Sequence, residues 1–268
     1  MTSMFLRSGL GRHIVRPQLA LKPILRPARR FQHNGPDMED YLLPGQKSAR
    51  NILKGFIAAN AVVFLAWQFS ITRTKGESPD LVRTKNNMAR ELNDKFVLRS
   101  GDIAHGNYYG ALLSHFSHVS TMHFGFNMMA FWSLGNGIIM SLPLMTGPRF
   151  LTLCLGSALG STVATYANKQ SRGISNGSLG ASGLISGIAA AIALRAPFAK
   201  MQFIFIPVGI PAWVLTGGFF AYSAYSVAAY DPRNPPLLDH AGHLGGAVFG
   251  ALYYFMSLRR GRIPGAWR

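Results

Sequence analysis

The longest acid-free stretch of the chain limits its fold more than any other feature. Residues 103–230 contain no aspartate or glutamate. Their basic residues are Arg149, Lys169, Arg172, Arg195 and Lys200. Overall, 49% of the chain is hydrophobic and only 14% is charged, a low charged share for a soluble domain. So long a segment with so few charges would precipitate from water but suits repeated passage through a lipid bilayer.

Apolar runs of about 20 residues predict six membrane-spanning helices, and therefore an all-α polytopic membrane protein. A polar loop at residues 72–107, with a short helix around residues 81–92, separates the first two spans. The fifth run is interrupted by Pro207 and Pro211. The predicted spans, which together form one domain at residues 52–258, are residues 52–71, 119–142, 150–167, 181–194, 203–228 and 241–258.

The positive charge is concentrated at the chain ends. The formal net charge is +17, but no basic stripe is interleaved with exposed aromatic residues, so we do not expect nucleic-acid binding. Residues 1–36 carry seven Lys or Arg and no acid, which predicts a mitochondrial transit peptide, with a disordered basic tail as the alternative. Residues 37–51 are predicted to be a linker without an additional span, and residues 259–268 a basic C-terminal tail.

The basic ends also predict how the chain is oriented. Both termini should lie on the same side of the membrane, which an even number of spans allows. In a mitochondrial inner membrane this side is the matrix, so the starts of the fourth and sixth spans are expected to face the intermembrane space. The fourth span, from Ser182 to Arg195, covers only about 20 Å of helix, against a hydrocarbon thickness of about 30 Å. Ser182 is therefore expected at the floor of a water-filled depression.

Polar side chains inside the predicted spans are candidates for function, because burying them in lipid is costly. His123 and Asn127 are four residues apart and project from one helix face. Ser182 and His243 lie in the fourth and sixth spans. A serine needs a base to become a nucleophile, a histidine is such a base at neutral pH, and the developing oxyanion needs hydrogen-bond donors. Together the four residues have the composition of an acyl-transfer site.

Glycines give the fourth and sixth spans faces along which two helices can approach closely. They are Gly183 and Gly187 in the fourth span, and Gly246 and Gly250 in the sixth. Small residues at this spacing allow close helix contact in membranes. Contact between the two glycine faces would bring His243 near Ser182.

Structural interpretations of the same residues remain open at this point. Ser182 alone fits a helix N-cap or a packing residue, and His243 or Asn127 alone fits an interhelical hydrogen bond. Metalloprotease and aspartyl protease chemistry are excluded, because the chain has no H-E-x-x-H motif and no aspartate within a predicted span. Three histidines lack a convincing metal-ligand spacing: His115, His118 and His123. We expect no metal and no organic cofactor.

Four segments of the chain resemble the rhomboid family of intramembrane serine proteases, and its mitochondrial members in particular. They are GFIAANAVVFLAW (55–67), LLSHFSHVSTMHFGFNMMAFWSLG (112–135), SLGASG (178–183) and DHAGHLGGAVFGALYY (239–254), in the family's order. The resemblance implies a six-transmembrane-helix rhomboid core bundle with a Ser–His dyad. On this resemblance, Ser182 is the nucleophile and His243 is the general base and then the general acid.

The resemblance also implies roles for residues around the dyad. His123 and Asn127 match the pair that stabilises the oxyanion, together with the Ser182 backbone N–H. Gly180 lets the loop before Ser182 come close to the substrate. Asp239 lies four residues before His243, but the family needs no third acid.

One departure from the family concerns the first loop. Many rhomboids carry a Trp-Arg pair there, whereas residues 72–113 contain no tryptophan. The packing and gating role of that loop is therefore not carried over to this chain.

These observations predict an intramembrane serine endopeptidase of the mitochondrial inner membrane that cuts single-span membrane proteins at or just inside the lipid bilayer. The mitochondrial members of the family process proteins with bipartite presequences, such as a dynamin-like GTPase, and the resemblance implies similar substrates. The alternative is a rhomboid-like pseudoprotease that binds membrane clients without cleavage, which the presence of all four polar residues disfavours. A transporter is the third and least favoured function, because many transporters are built from repeated halves and the sequence shows no repeat.

Overall fold

A computed structural model of the chain describes residues 38–203 and 206–259. Within these ranges the protein is mostly α-helical, with one two-stranded antiparallel sheet. The predicted transit peptide at residues 1–36 and most of the predicted tail at residues 259–268 lie outside the described residues. The elements are α1 (Pro44–Ile71), α2 (Pro79–Lys95), α3 (Ser100–Ala104), α4 (Tyr109–Leu113), α5 (Thr121–Ser141), α6 (Gly147–Arg172), α7 (Ser182–Arg195), β1 (Lys200–Phe203), β2 (Ile206–Pro211), α8 (Ala212–Ala228) and α9 (His240–Tyr253), which continues as a π-helical turn (Tyr254–Leu258).

Helix α1 begins earlier than the hydropathy of the chain predicts. Pro44 occupies its first turn, where the missing N–H is not needed, and the Gln46 side chain accepts a hydrogen bond from the Leu43 N–H at 3.0 Å. The Gln46 amide also donates to the Ile139 carbonyl at 2.8 Å, which ties the start of α1 to α5. The predicted linker at residues 37–51 is therefore wrong from Pro44 onward. Hydropathy detects only the apolar part of a helix. Helix α1 also includes the more polar residues 44–51 before that part.

The fifth predicted span also differs from the structure. Residues 203–228 were expected to form one interrupted helix, but a hairpin of β1 and β2 precedes α8, which begins only at Ala212. In the hairpin Lys200 pairs with Pro211. A proline inside a helix loses a hydrogen bond and clashes with the preceding turn, whereas an edge strand tolerates it. Because of the two prolines, helix α8 begins only after Pro211.

Six helices match the predicted spans in position: α1, α5, α6, α7, α8 and α9. Among the described residues, α1 and α6 are long and apolar enough to cross a membrane, by length and composition alone, and α7 is a shorter apolar helix. That all six cross a bilayer stays a prediction. The main core between them is aliphatic and aromatic, and its fully buried side chains include Leu53, Phe131, Ile138, Phe150 and Ile188.

Helices α7 and α9 are in backbone-to-backbone contact through their glycines. A Cβ atom added to Gly246 would overlap the carbonyl oxygen of Gly183, and one added to Gly250 would overlap the carbonyl oxygen of Gly187. Helix α6 lies against the same two α7 glycines with the side chains of Ser157 and Ser161. The three helices can approach this closely only because these positions lack side chains.

A buried ion pair joins the end of α1 to α2. The Lys85 ammonium lies 2.5 Å from a Glu77 carboxylate oxygen, and both side chains are almost fully buried. Lys85 also donates to the Thr72 carbonyl at 2.9 Å, and the Thr74 N–H donates to Glu77 at 2.8 Å. The hydrogen bonds from Lys85 and Thr74 lower the pKa of Glu77 from 4.5 to about 2.

We expect Gly246→Leu to destabilise the protein, because the new side chain meets the α7 backbone rather than a flexible neighbour. Overpacking of this kind costs about 1–3 kcal/mol or more. Thermal unfolding in detergent measures the effect. Gly218→Leu in α8 is the matched control, because nothing lies within 4 Å of its Cβ position. Equal melting temperatures for the two variants would contradict the proposed tightness of the α7–α9 contact.

We expect Glu77→Gln to reduce the pH dependence of stability. Because the folded pKa of Glu77 is lowered to about 2, its contribution is full above about pH 4.5 and is lost as the pH falls toward 2. Wild type should lose stability over this window more steeply than Glu77→Gln, as measured by thermal unfolding at several pH values. The control is Glu91→Gln, which removes an exposed pair with Lys95. Parallel curves for wild type and Glu77→Gln would refute this assignment.

Candidate active site

Ser182 and His243 are hydrogen-bonded to each other. Ser182 is the first residue of α7, and His243 lies in the first turn of α9. The distance between Ser182 Oγ and His243 Nε2 is 2.8 Å. The His243 side chain is buried, whereas Ser182 is only half-buried. An imidazole nitrogen at this distance can accept the hydroxyl proton, so the pair has the geometry of an activated serine nucleophile.

The loop before Ser182 is held by backbone hydrogen bonds from the first-loop region of the chain. Ser178 and Leu98 exchange two backbone hydrogen bonds of 2.8 and 2.9 Å. The Gly180 N–H donates to the Ser114 carbonyl at 2.9 Å. Ser182 then starts a helix, and the first N–H groups of a helix have no intrahelical acceptor. The loop is thus fixed at Ser178 and Gly180, just before the Ser182 N–H at the start of α7.

Gly180 packs directly against the His123 ring. A Cβ atom at position 180 would lie 2.7 Å from His123 Cε1 and 3.0 Å from His123 Nε2. The backbone of Gly180 also has a φ of +123°, a conformation that side chains strongly disfavour. Both observations require glycine at this position.

His123 and Asn127 occupy adjacent turns of α5 but differ in their relation to Ser182. His123 lines the same cavity as Ser182 and His243, whereas Asn127 is buried and does not line it. One N–H of the Asn127 amide donates to the His123 carbonyl at 2.8 Å within the helix. A primary amide carries two N–H groups, so the second can serve another acceptor.

A cavity of about 220 Å³ opens onto the Ser–His pair. It lies between the segment that follows α6 and the segment that precedes α9. Its lining includes Lys169, Asn176, Leu179, Tyr230 and Leu237, in addition to the residues already named.

Asp239 is engaged by groups other than the His243 ring. It is the N-cap of α9, and its Oδ1 accepts a hydrogen bond from the Gly242 N–H at 2.9 Å. Its Oδ2 accepts a hydrogen bond from the Thr165 hydroxyl at 2.8 Å. Among the described residues, the buried Nδ1 of His243 has no direct hydrogen-bond partner. Among the described residues, the hydrogen-bonded pair of Ser182 and His243 therefore has no acid in direct contact with the His243 ring.

Two histidines have supporting positions that sequence reasoning missed. His118 Nε2 accepts a hydrogen bond from the Ala181 N–H at 3.3 Å, and His115 Nε2 lies 2.9 Å from the Thr162 hydroxyl. Burial, with a smaller effect of His123, lowers the pKa of His118 to about 3, so its ring is neutral and can accept. In the described part of the chain no three His, Cys, Asp or Glu residues are grouped to hold a metal. In the sequence, only the H-x-x-H spacing of His115 and His118 ahead of α5 indicates that these two histidines could act together.

A tryptophan outside the first loop contacts the segment that supports the nucleophile. Trp67, near the end of α1, donates from its indole N–H to the Ser117 hydroxyl at 2.8 Å. It also packs with Leu92 and Val97 in a second apolar cluster. The first loop, which contains no tryptophan, is thus anchored by an indole from the preceding helix.

Comparison with known proteins shows the family to which the chain belongs. Residues 105–260, more than half of the chain, match the Rhomboid domain family model. The mitochondrial presenilin-associated rhomboid-like protein of Mus musculus is 32% identical over 203 residues, which cover 74% of this chain and 46% of that protein. The mitochondrial Rhomboid protein 1 of Saccharomyces cerevisiae is 38% identical over 143 residues, which cover 52% of this chain and 39% of that protein. The chain spans less than half the length of these curated relatives. With more than half of its residues matched by the family model, the chain belongs to the rhomboid family.

Proposed function

We propose that the protein is an intramembrane serine endopeptidase that cleaves single-span membrane proteins. The observation that carries this proposal is the 2.8 Å hydrogen bond between Ser182 Oγ and His243 Nε2 at the edge of an open cavity. Membership of the rhomboid family supports the same reaction class.

The proposed reaction begins with attack of Ser182 Oγ on the carbonyl carbon of the scissile peptide bond. The hydroxyl proton moves to His243 Nε2, and the carbonyl oxygen becomes an oxyanion. Collapse of this intermediate breaks the C–N bond, and the proton on His243 goes to the leaving amine. A water molecule then repeats the sequence on the acyl-enzyme, with His243 accepting and returning a proton, and releases the carboxylic acid product.

Three groups are proposed to stabilise the oxyanion. The Ser182 backbone N–H lies at a helix N-terminus, where donors and the helix dipole favour negative charge. The His123 ring lines the cavity beside Ser182. Asn127 would contribute its second amide N–H, after a small rearrangement toward the cavity. Loss of one such donor typically costs about 10²–10³-fold in rate.

The mitochondrial inner membrane is the proposed location. The two relatives named above are mitochondrial by name. The orientation is proposed from the basic residues at the two ends of the sequence, which would place the side opposite the dyad in the matrix. Among the described residues both sides carry basic side chains, such as Arg149 and Arg195 on one side and Lys169 and Arg172 on the other. The dyad would then open toward the intermembrane space.

We expect Ser182→Ala and His243→Ala each to lower the cleavage rate by at least about 10³-fold, because either change removes the nucleophile or its base. The measurement is cleavage of a single-span reporter in proteoliposomes, together with labelling of Ser182 by a fluorophosphonate probe. Thermal unfolding checks that both variants remain folded.

Ser186→Ala is the matched serine control for this experiment. Ser186 lies one turn after Ser182 on α7 and donates only to the Ser182 carbonyl. It should keep labelling and cleavage within about threefold of wild type. A folded wild type that is neither labelled nor active would favour the client-binding pseudoprotease instead.

We expect Asn127→Ala to slow turnover less than either dyad variant, because His123 and a backbone N–H remain as donors. A loss of about 10–10²-fold in kcat with little change in KM is expected. Steady-state kinetics on the same reporter provide the measurement. An unchanged kcat would remove Asn127 from the oxyanion site.

A further inference from the structure

The carboxylate of Asp239 connects α9 to α6 immediately behind the dyad. One oxygen caps α9 through the Gly242 N–H, and the other accepts from the Thr165 hydroxyl on α6. Asp239 and His243 are four residues apart, so their side chains lie on the same helix face. Two accepted hydrogen bonds leave further acceptor positions on the carboxylate, which can accept about four.

A small cavity is lined by both residues. Its volume of about 20 Å³ is enough for one water molecule. Its lining includes the polar side chains of Ser161, Thr165, Ser182, Asp239 and His243. A water needs two to four polar partners to be stable in a protein interior, and this lining supplies them.

The His243 side chain lines this cavity and carries an unsatisfied polar atom. His243 is 3% exposed, and among the described residues its Nδ1 has no hydrogen-bond partner. For Nε2 to accept the Ser182 proton, the neutral ring must carry its proton on Nδ1. A buried N–H donor without an acceptor costs about 1–3 kcal/mol, so an acceptor in the cavity would stabilise the required tautomer.

We propose that Asp239 is a positioning residue for the proposed reaction: it holds the start of α9 on α6 and accepts, through one water in the small cavity, the hydrogen bond from His243 Nδ1. This inference rests on the proposed protease function. In this role the carboxylate takes no proton from His243. Its roles are to fix the tautomer and orientation of His243 and to stabilise the positive imidazolium that forms when Ser182 attacks.

Asp239 is the one acidic side chain among the described residues that line the two cavities around His243. The other titratable side chains at these cavities cannot neutralise an imidazolium: His115, His123, Lys169, Tyr230 and His240. No alternative carboxylate at either cavity can therefore take over the role of Asp239.

Asp239→Asn tests the inference, because asparagine is an equally good N-cap and keeps the shape of the side chain. We expect an unchanged melting temperature, an unchanged KM and a kcat about 10–10²-fold lower. The loss should be smaller than the roughly 10⁴-fold cost of removing an acid bonded directly to the histidine, because a water intervenes. Fluorophosphonate labelling should slow by a similar factor.

Two further variants separate charge from structure. Thr165→Val removes the α6 anchor but keeps the carboxylate, so it should lower the melting temperature while reducing kcat less than Asp239→Asn does. Asp231→Asn changes an exposed aspartate of the same interhelical segment, whose carboxylate accepts from the Arg233 N–H, and it should leave kinetics and melting temperature unchanged.

The inference is overturned if Asp239→Asn keeps kcat within about threefold of wild type, or if it melts as early as Asp239→Ala and loses activity only through unfolding. Ser182→Ala run in parallel distinguishes this failure from failure of the proposed function. If wild type cleaves and Ser182→Ala does not, the function stands and only the role of Asp239 is lost. If wild type does not cleave, both are lost.

Discussion

The backbone contact between Gly183 on α7 and Gly246 on α9 sets the distance on which the rest of the site depends. Gly183 follows Ser182 directly, and Gly246 is one helical turn beyond His243. In a bilayer, apolar side chains gain little from leaving lipid, so helices associate through close packing and hydrogen bonds. Side chains at these positions would push the helices apart, and the 2.8 Å bond between serine and histidine would be lost.

Near this contact, the loop that precedes Ser182 is held by residues of the first-loop region. Leu98 and Ser114 bind its backbone, and His118 accepts from the residue just before Ser182. Trp67 holds the His118 segment through Ser117. Serine reactivity needs geometry held to within a fraction of an ångström, and here three separate elements outside α7 contribute to it.

The sequence predicts that Ser182 and His243 lie close together, and the structure places them in hydrogen-bond contact. This proximity was predictable because both residues and their glycine neighbours lie in short local motifs. It placed the start of α1 too late and extended the fifth span backward over a β-hairpin, because apolar composition alone does not separate helix from strand. His118 was noticed only as part of an unconvincing metal cluster, since its partner Ala181 is 63 residues away. The bond between Asp239 and Thr165 spans 74 residues and has no local signature either.

The order of the dyad along the chain has a consequence during biosynthesis. Ser182 and His243 are separated by 61 residues, and the histidine is supplied by the last described helix. A chain that has inserted α1 to α8 therefore has its nucleophile but no base. The proposed cutting activity therefore requires that α9 has joined the bundle, because α9 supplies the histidine that pairs with Ser182. The packing of α9 against α6 and α7 is thus the step that completes the proposed site.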